Sequence, residues 1–126
     1  MHPEVQSGID ELKRQFGSEI TCAEDGQGGA YVIVERVQLG PTFSPSETWM
    51  GAHIPPQYPY ADIYPVFIGG DVRRTNGVAL QAPITLGATF QARQAIQISR
   101  KNNAIGDLGQ TALGKFLKVL DFLLRS

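Results

Sequence analysis

The sequence predicts an α+β fold, in which an N-terminal helix and a C-terminal helix pack on an antiparallel sheet of about four strands. Three observations predict it. Apolar residues recur at helical spacing near both ends, and segments rich in β-branched residues lie between them. The turns between those segments are too short for the crossover helices of a parallel sheet. With 126 residues, the chain is long enough for one hydrophobic core, so residues 1–126 are predicted to form a single domain.

Both terminal helices are predicted from the spacing of their apolar residues. In residues 3–16, one apolar stripe recurs with a period near 3.6 and consists of Val5, Ile9, Leu12 and Phe16. Residues 110–124 carry a wider apolar face, which implies that this helix packs across a sheet. We expect that face to contain Leu113, Phe116, Leu117, Leu120, Leu123 and Leu124, with Lys115, Lys118 and Arg125 on the opposite side.

The segments between the helices carry strand and turn signals. Strands are predicted at residues 20–23, 30–39 and 48–54. In the second strand, alternation places Tyr31, Ile33, Val37 and Leu39 on one face.

Glycine and proline residues predict the turns. The glycines of residues 24–29 lack the spacing of a phosphate-binding loop and indicate a hairpin turn. Asn76-Gly77 is a tight-turn dipeptide. The signals in residues 69–103 are otherwise weak, and residues 88–98 fit either a strand or a short helix.

Composition and charge exclude several classes of protein. Eleven Lys and Arg against twelve Asp and Glu give a net charge of -1, so no nucleic-acid partner is predicted. No apolar run reaches the roughly 20 residues that span a bilayer. The first residues carry early acidic side chains and no apolar segment, so we expect no secretory signal there. One cysteine excludes an intramolecular disulfide, and two histidines make a metal site unexpected. We therefore expect no membrane partner, no cofactor and a cytoplasmic location.

A proline-rich connection follows the third predicted strand. It contains Ile54-Pro55-Pro56-Gln57-Tyr58-Pro59-Tyr60 and continues to Pro65-Val66-Phe67. A strand that runs into such a Pro/Tyr segment, within this order of elements, resembles the ubiquitin-conjugating enzyme family. The segment Ser99-Arg100-Lys101-Asn102-Asn103, followed by a leucine-rich helix, is similar more specifically to the prokaryotic ubiquitin-conjugating-like family E. The resemblance implies a UBC/RWD-like fold, with a ubiquitin-like modifier and its activating enzyme as partners.

The chain departs from that family at the catalytic cysteine. In the family, the cysteine lies a few residues after an Asn-Gly turn, and here Leu80 stands near that position. The resemblance therefore implies a non-catalytic module that binds the modifier or its activating enzyme. Two alternatives stay open: a transfer enzyme that forms an oxyester through a hydroxyl, and a protein-interaction domain of the same fold outside this pathway.

Each alternative has its candidate residues. For transfer, Ser99 is the first choice of nucleophile, and Asn102 or Asn103 would hold the oxyanion. The same asparagines and Ser99 also suit a local turn. Thr75 and Thr85 are weaker hydroxyl candidates. For binding, the candidate residues are Pro55, Pro56, Tyr58, Pro59 and Tyr60, with Arg100 to hold a partner's terminal carboxylate.

Two further residues have a structural and a catalytic interpretation. Cys22 is the only thiol, and in a short strand we expect it to be a small buried side chain rather than a nucleophile. His53 has the pKa range of a general base. Alternation places His53 on the same strand face as Trp49 and Gly51, so we expect a partly buried strand histidine.

Overall fold

The computed structural model describes residues 1–17, 19–101 and 110–125. Its elements, in chain order, are helix α1 (Pro3–Phe16), strands β1 (Ile20–Glu24), β2 (Ala30–Gln38), β3 (Phe43–Ser44), β4 (Glu47–Ile54), β5 (Val66–Gly69), β6 (Arg73–Arg74), β7 (Ile84–Phe90) and β8 (Arg93–Ile98), and helix α2 (Ala112–Arg125). The predicted α+β class, both helices and the three predicted strands are confirmed.

The main sheet is larger than expected. Over the described residues it has six antiparallel strands in the order β1-β2-β4-β5-β8-β7, and β3 pairs with β6 in a separate two-stranded ribbon. The expectation of about four strands is therefore wrong. The extra strands include β7 and β8, which form a hairpin. Residues 88–98, for which the sequence fits either a strand or a short helix, belong to this hairpin. Its turn residues, Gln91 and Ala92, both have positive φ angles, of 49° and 64°. Neither residue type signals such a turn, because positive φ favours Gly, Asn and Asp.

A β-bulge divides strand β2 into two parts. The pairing of β2 with β4 shifts register between Val34 and Val37, and the extra residue turns the following side chains to the other face. Ile33 therefore packs in a small cluster on the helix-free face of the sheet, whereas Val37 and Leu39 lie in the main core. The prediction that Tyr31, Ile33, Val37 and Leu39 share one face is wrong for this reason.

The main core joins both helices to one face of the sheet. Helix α1 buries Val5, Ile9 and Leu12 completely, as its stripe predicts. Helix α2 is rotated relative to the prediction. Its buried residues are Ala112, Lys115, Phe116, Val119 and Leu123, while Leu117 and Leu124 are 39% and 49% exposed. The apolar residues of α2 surround more than half of the helix when Ala112, Val119 and Phe122 are counted with the leucines, so apolar spacing alone does not determine which side faces the core.

Candidate partner-binding surface

Tyr58 anchors the proline-rich connection between β4 and β5 to the two helices. This side chain is 7% exposed, and its phenol oxygen accepts a hydrogen bond from the backbone N–H of Ala112 over 2.9 Å. A Cβ atom placed on Gly8 of α1 would lie 2.9 Å from the same oxygen. Tyr58 therefore fills the junction between the two helices, and its ring presents little surface to a partner.

The outer side of the connection is formed by the other predicted binding residues. Tyr60 is 64% exposed, while Pro55, Pro56 and Pro59 are half-buried. Backbone hydrogen bonds hold the segment: the N–H of Tyr60 donates to the Gln57 carbonyl, and the N–H of Gln110 donates to the Pro59 carbonyl. A partner that contacts Tyr60 therefore meets a surface that is already ordered.

Lys115 links the connection to α2 and to the end of β8. Its side chain is 3% exposed, and its Nζ donates to the Asp62 carboxylate at 3.1 Å and to the carbonyl oxygen of Arg100. The prediction that Lys115 faces away from the core is wrong. Lys115 is one residue before Phe116 and four before Val119, and this helical spacing places it beside the buried stripe. The spacing is therefore a sequence signal for the burial of Lys115.

Two cations lie over aromatic rings beside Lys115. The guanidinium carbon of Arg100 is 4.4 Å from the centre of the Phe122 ring, and the Nζ of Lys101 is 5.2 Å from the centre of the Tyr64 ring. Both distances are within the range of cation–π attraction. Arg100, predicted to contact a partner, is exposed and stands at the edge of a pocket of about 340 Å³ that α2 borders.

The position expected for a catalytic cysteine carries an apolar patch. Leu80 is half-buried and borders a pocket of about 190 Å³ together with Val78 and Leu86. Val78 is 54% exposed and Leu86 is 62% exposed. The preceding turn at Asn76-Gly77 forms as predicted: the Asn76 side chain accepts a hydrogen bond from the N–H of Val78.

Ser99 is half-buried just after β8. Its hydroxyl oxygen accepts a hydrogen bond from the side-chain amide of Gln97 over 3.0 Å, and its N–H donates to the Pro83 carbonyl. In the part of the chain that the structure describes, no histidine or carboxylate side chain hydrogen bonds to the Ser99 hydroxyl. Asn102 and Asn103 lie outside the described residues. Thr75 and Thr85 are exposed, and the Thr75 hydroxyl donates to the Pro41 carbonyl.

Cys22 is exposed on strand β1, which is an edge of the main sheet. The prediction that it is a buried side chain is therefore wrong. Four of the five residues of this edge strand are exposed. Neither face of the strand is buried, so the alternation of its side chains does not bury the thiol.

His53 is a partly buried strand residue, as predicted. Its Nε2 lies 2.6 Å from Asp25 Oδ2, and its ring stacks on Tyr31 with 4.7 Å between the ring centres. Asp25 also accepts hydrogen bonds from the backbone N–H groups of Gln27 and Gly29. These contacts, led by the one with His53, lower the pKa of Asp25. Asp25 lies in the turn cluster of residues 24–29, and no local pattern in the sequence indicates its pairing with His53.

The Asp25–His53 pair fixes the hairpin turn between β1 and β2. Within the described ranges, no serine, threonine or cysteine side chain hydrogen bonds to His53, so the pair there lacks the nucleophile of a catalytic triad. The described residues also contain no group of three or more His, Cys, Asp or Glu side chains that could hold a metal ion. Neither described helix has the length and apolar character that crossing a bilayer requires.

No protein-family model, curated protein or solved structure matches this chain. Membership of the ubiquitin-conjugating family therefore stays an expectation that depends on the residues of the Pro/Tyr connection and of the segment that begins at Ser99.

Proposed function

We propose that the chain is a non-catalytic binding module of UBC/RWD-like fold in a bacterial ubiquitin-like conjugation pathway. Its partner is the ubiquitin-like modifier or the enzyme that activates it. The observation that carries the proposal is the surroundings of Leu80. An exposed apolar patch occupies the position where the resemblance expects a cysteine, and such a patch can bind a partner but has no nucleophile.

The surroundings of Ser99 also favour binding over transfer. A hydroxyl becomes a useful nucleophile at neutral pH when an adjacent base takes its proton. The Ser99 oxygen instead accepts a hydrogen bond from an amide of Gln97, which is not a base. Oxyester formation at Ser99 is thus the weaker candidate.

The connection from Pro55 to Pro65 supplies a second contact area. Tyr58 anchors it to both helices, and Tyr60 projects from it and is 64% exposed. Tyrosine on a preformed surface contributes contact area at a low cost in conformational entropy. We therefore expect a partner to contact Tyr60 rather than Tyr58.

The test combines purified protein with a bacterial ubiquitin-like modifier, its activating enzyme and ATP. Association is measured by calorimetry, and covalent adducts are measured by intact-protein mass spectrometry. A binding module associates without gaining mass, and Tyr60→Ala weakens the association. Leu124→Ala is the matched control, because Leu124 is similarly exposed on α2.

Two results would contradict the proposal. An adduct that resists thiol reductants, is cleaved by mild alkali and disappears in Ser99→Ala would make the chain a transfer enzyme. Absence of both association and adduct would place the chain outside this pathway.

A further inference from the structure

A basic pocket lies between the end of β8 and helix α2. It has a volume of about 340 Å³, at the lower end of the range of small-ligand sites. Its cationic wall is formed by Arg100, Lys101, Lys118 and Arg125, and its apolar wall by Val119 and Phe122. This concentration of positive charge occurs on a chain whose net charge is -1, so it is a local feature and not a reflection of composition.

Among the described residues, three of the cations around the pocket have no carboxylate partner. Arg125 is paired with Asp121 over 3.0 Å, and the buried Lys115 directs its Nζ to Asp62 and to the Arg100 carbonyl. For Arg100, Lys101 and Lys118, no carboxylate among the described residues lies within ion-pair distance. Like charges around a cavity repel one another, and an anion in the cavity relieves that repulsion.

The aromatic contacts hold the cations in position. Arg100 lies over the Phe122 ring at 4.4 Å, and Lys101 lies over the Tyr64 ring at 5.2 Å. Lys115 fixes the backbone from which Arg100 extends, because its Nζ binds the Arg100 carbonyl oxygen. A guanidinium positioned in this way loses less side-chain entropy when its N–H groups bind a carboxylate or a phosphate.

We propose that this pocket is a binding site for a small organic anion, a carboxylate or a phosphate carried on a flat apolar stem. The anionic group contacts Arg100, Lys101 and Lys118, and the stem lies against Phe122 and Val119. The proposal depends on the geometry of the pocket alone, so it holds whether or not the conjugation partners of the previous section bind.

The site is tested by titrating ¹⁵N-labelled protein with benzoate, acetate or inorganic phosphate at low ionic strength. Benzoate is expected to give saturable shifts of the Val119 and Phe122 amide signals and to bind more tightly than acetate. Arg100→Gln and Lys118→Gln should each weaken benzoate binding by about fivefold or more, because each removes a charged donor. Both residues are exposed, and the spectra of the free variants verify that they fold.

Arg36→Gln is the control, since it removes one positive charge from β2, where Arg36 is 67% exposed and pairs with Glu19. Acetate and inorganic phosphate both lack the stem, so tighter binding of phosphate than of acetate assigns the site to phosphate carriers, and the reverse order assigns it to carboxylate carriers. Shifts that do not saturate with any of the three anions would overturn the site. An equal loss of binding in Arg36→Gln would show that benzoate is held by general charge attraction and not by the pocket. Equal affinity for benzoate and acetate would show that the apolar stem makes no contribution to binding.

Discussion

The phenol oxygen of Tyr58 accepts a hydrogen bond from the backbone N–H of Ala112, and this bond joins residues 54 positions apart in the sequence. Ala112 is the first residue of α2, where backbone N–H groups have no partner within the helix. Tyr58 supplies that partner from the proline-rich connection. The connection and the start of α2 are therefore stabilised together, and each positions the other.

Tyr58→Phe should lower the free energy of unfolding by about 1–3 kcal/mol, because it leaves the buried N–H of Ala112 without this acceptor. Equilibrium denaturation in urea measures the change. Tyr60→Phe removes the same hydroxyl from an exposed ring and should change stability by less than about 0.5 kcal/mol. Equal effects of the two substitutions would contradict the anchoring role of Tyr58.

Phe116→Ala tests which side of α2 faces the core. Phe116 is fully buried, so truncation should cost about 3–5 kcal/mol through lost burial and the cavity that remains. Leu117→Ala, one position along the same helix, removes a side chain that is 39% exposed and should cost clearly less. Thermal or urea unfolding of the two variants would reveal a different helix rotation if Leu117→Ala were the more damaging.

The sequence predicted those parts of the fold in which local pattern and tertiary packing agree. Helix α1 has a single narrow stripe, and Val5, Ile9 and Leu12 are buried as the stripe requires. The prediction for strand β2 is wrong from the point where a bulge between Val34 and Val37 moves the following side chains to the other face of the sheet. Alternation cannot detect a bulge, because the extra residue is specified by the pairing with β4 and not by residue type.

The sequence selects chain positions for a candidate site but does not predict the contacts that those residues make. Arg100 and Tyr60 were selected from the sequence, and both are exposed. The partners of Lys115 and of His53 were not predicted. Lys115 meets Asp62 across 53 positions and His53 meets Asp25 across 28, and no local pattern specifies pairs that only the tertiary fold brings together.

Lys115→Met should destabilise the protein although methionine is apolar and of similar length. The substitution removes the cation that faces the half-buried Asp62 and the donor to the Arg100 carbonyl. Loss of a hydrogen-bonding partner from a partly buried site costs about 1–3 kcal/mol. Urea denaturation gives the magnitude. Lys118→Met, on the exposed side of α2, should stay within about 0.5 kcal/mol of wild type. A stable Lys115→Met protein would show that apolar burial compensates for the lost pair.

Acid should weaken the fold in part through Asp25. His53 and the N–H groups of Gln27 and Gly29 lower the pKa of this carboxyl in the folded protein. The unfolded chain therefore binds the proton more readily. The stabilising contribution of the carboxylate is complete above its ordinary pKa of about 3.9, and it is lost as pH falls through the lower folded value.

Asp25→Asn should consequently be less stable than wild type near pH 6, and the difference should shrink as the pH is lowered below about 4. The measurement is the free energy of unfolding from urea titrations at a series of pH values. Some acid dependence should persist in the variant, because Glu35 also titrates with a lowered pKa, which its contact with Arg93 causes.

Asp121→Asn is the matched control, because it removes an exposed carboxylate of α2, and it should follow the wild-type pH dependence. If the wild-type and Asp25→Asn curves run parallel down to the lowest pH, the contacts of Asp25 do not link protonation to folding, and the pair with His53 serves only to shape the turn.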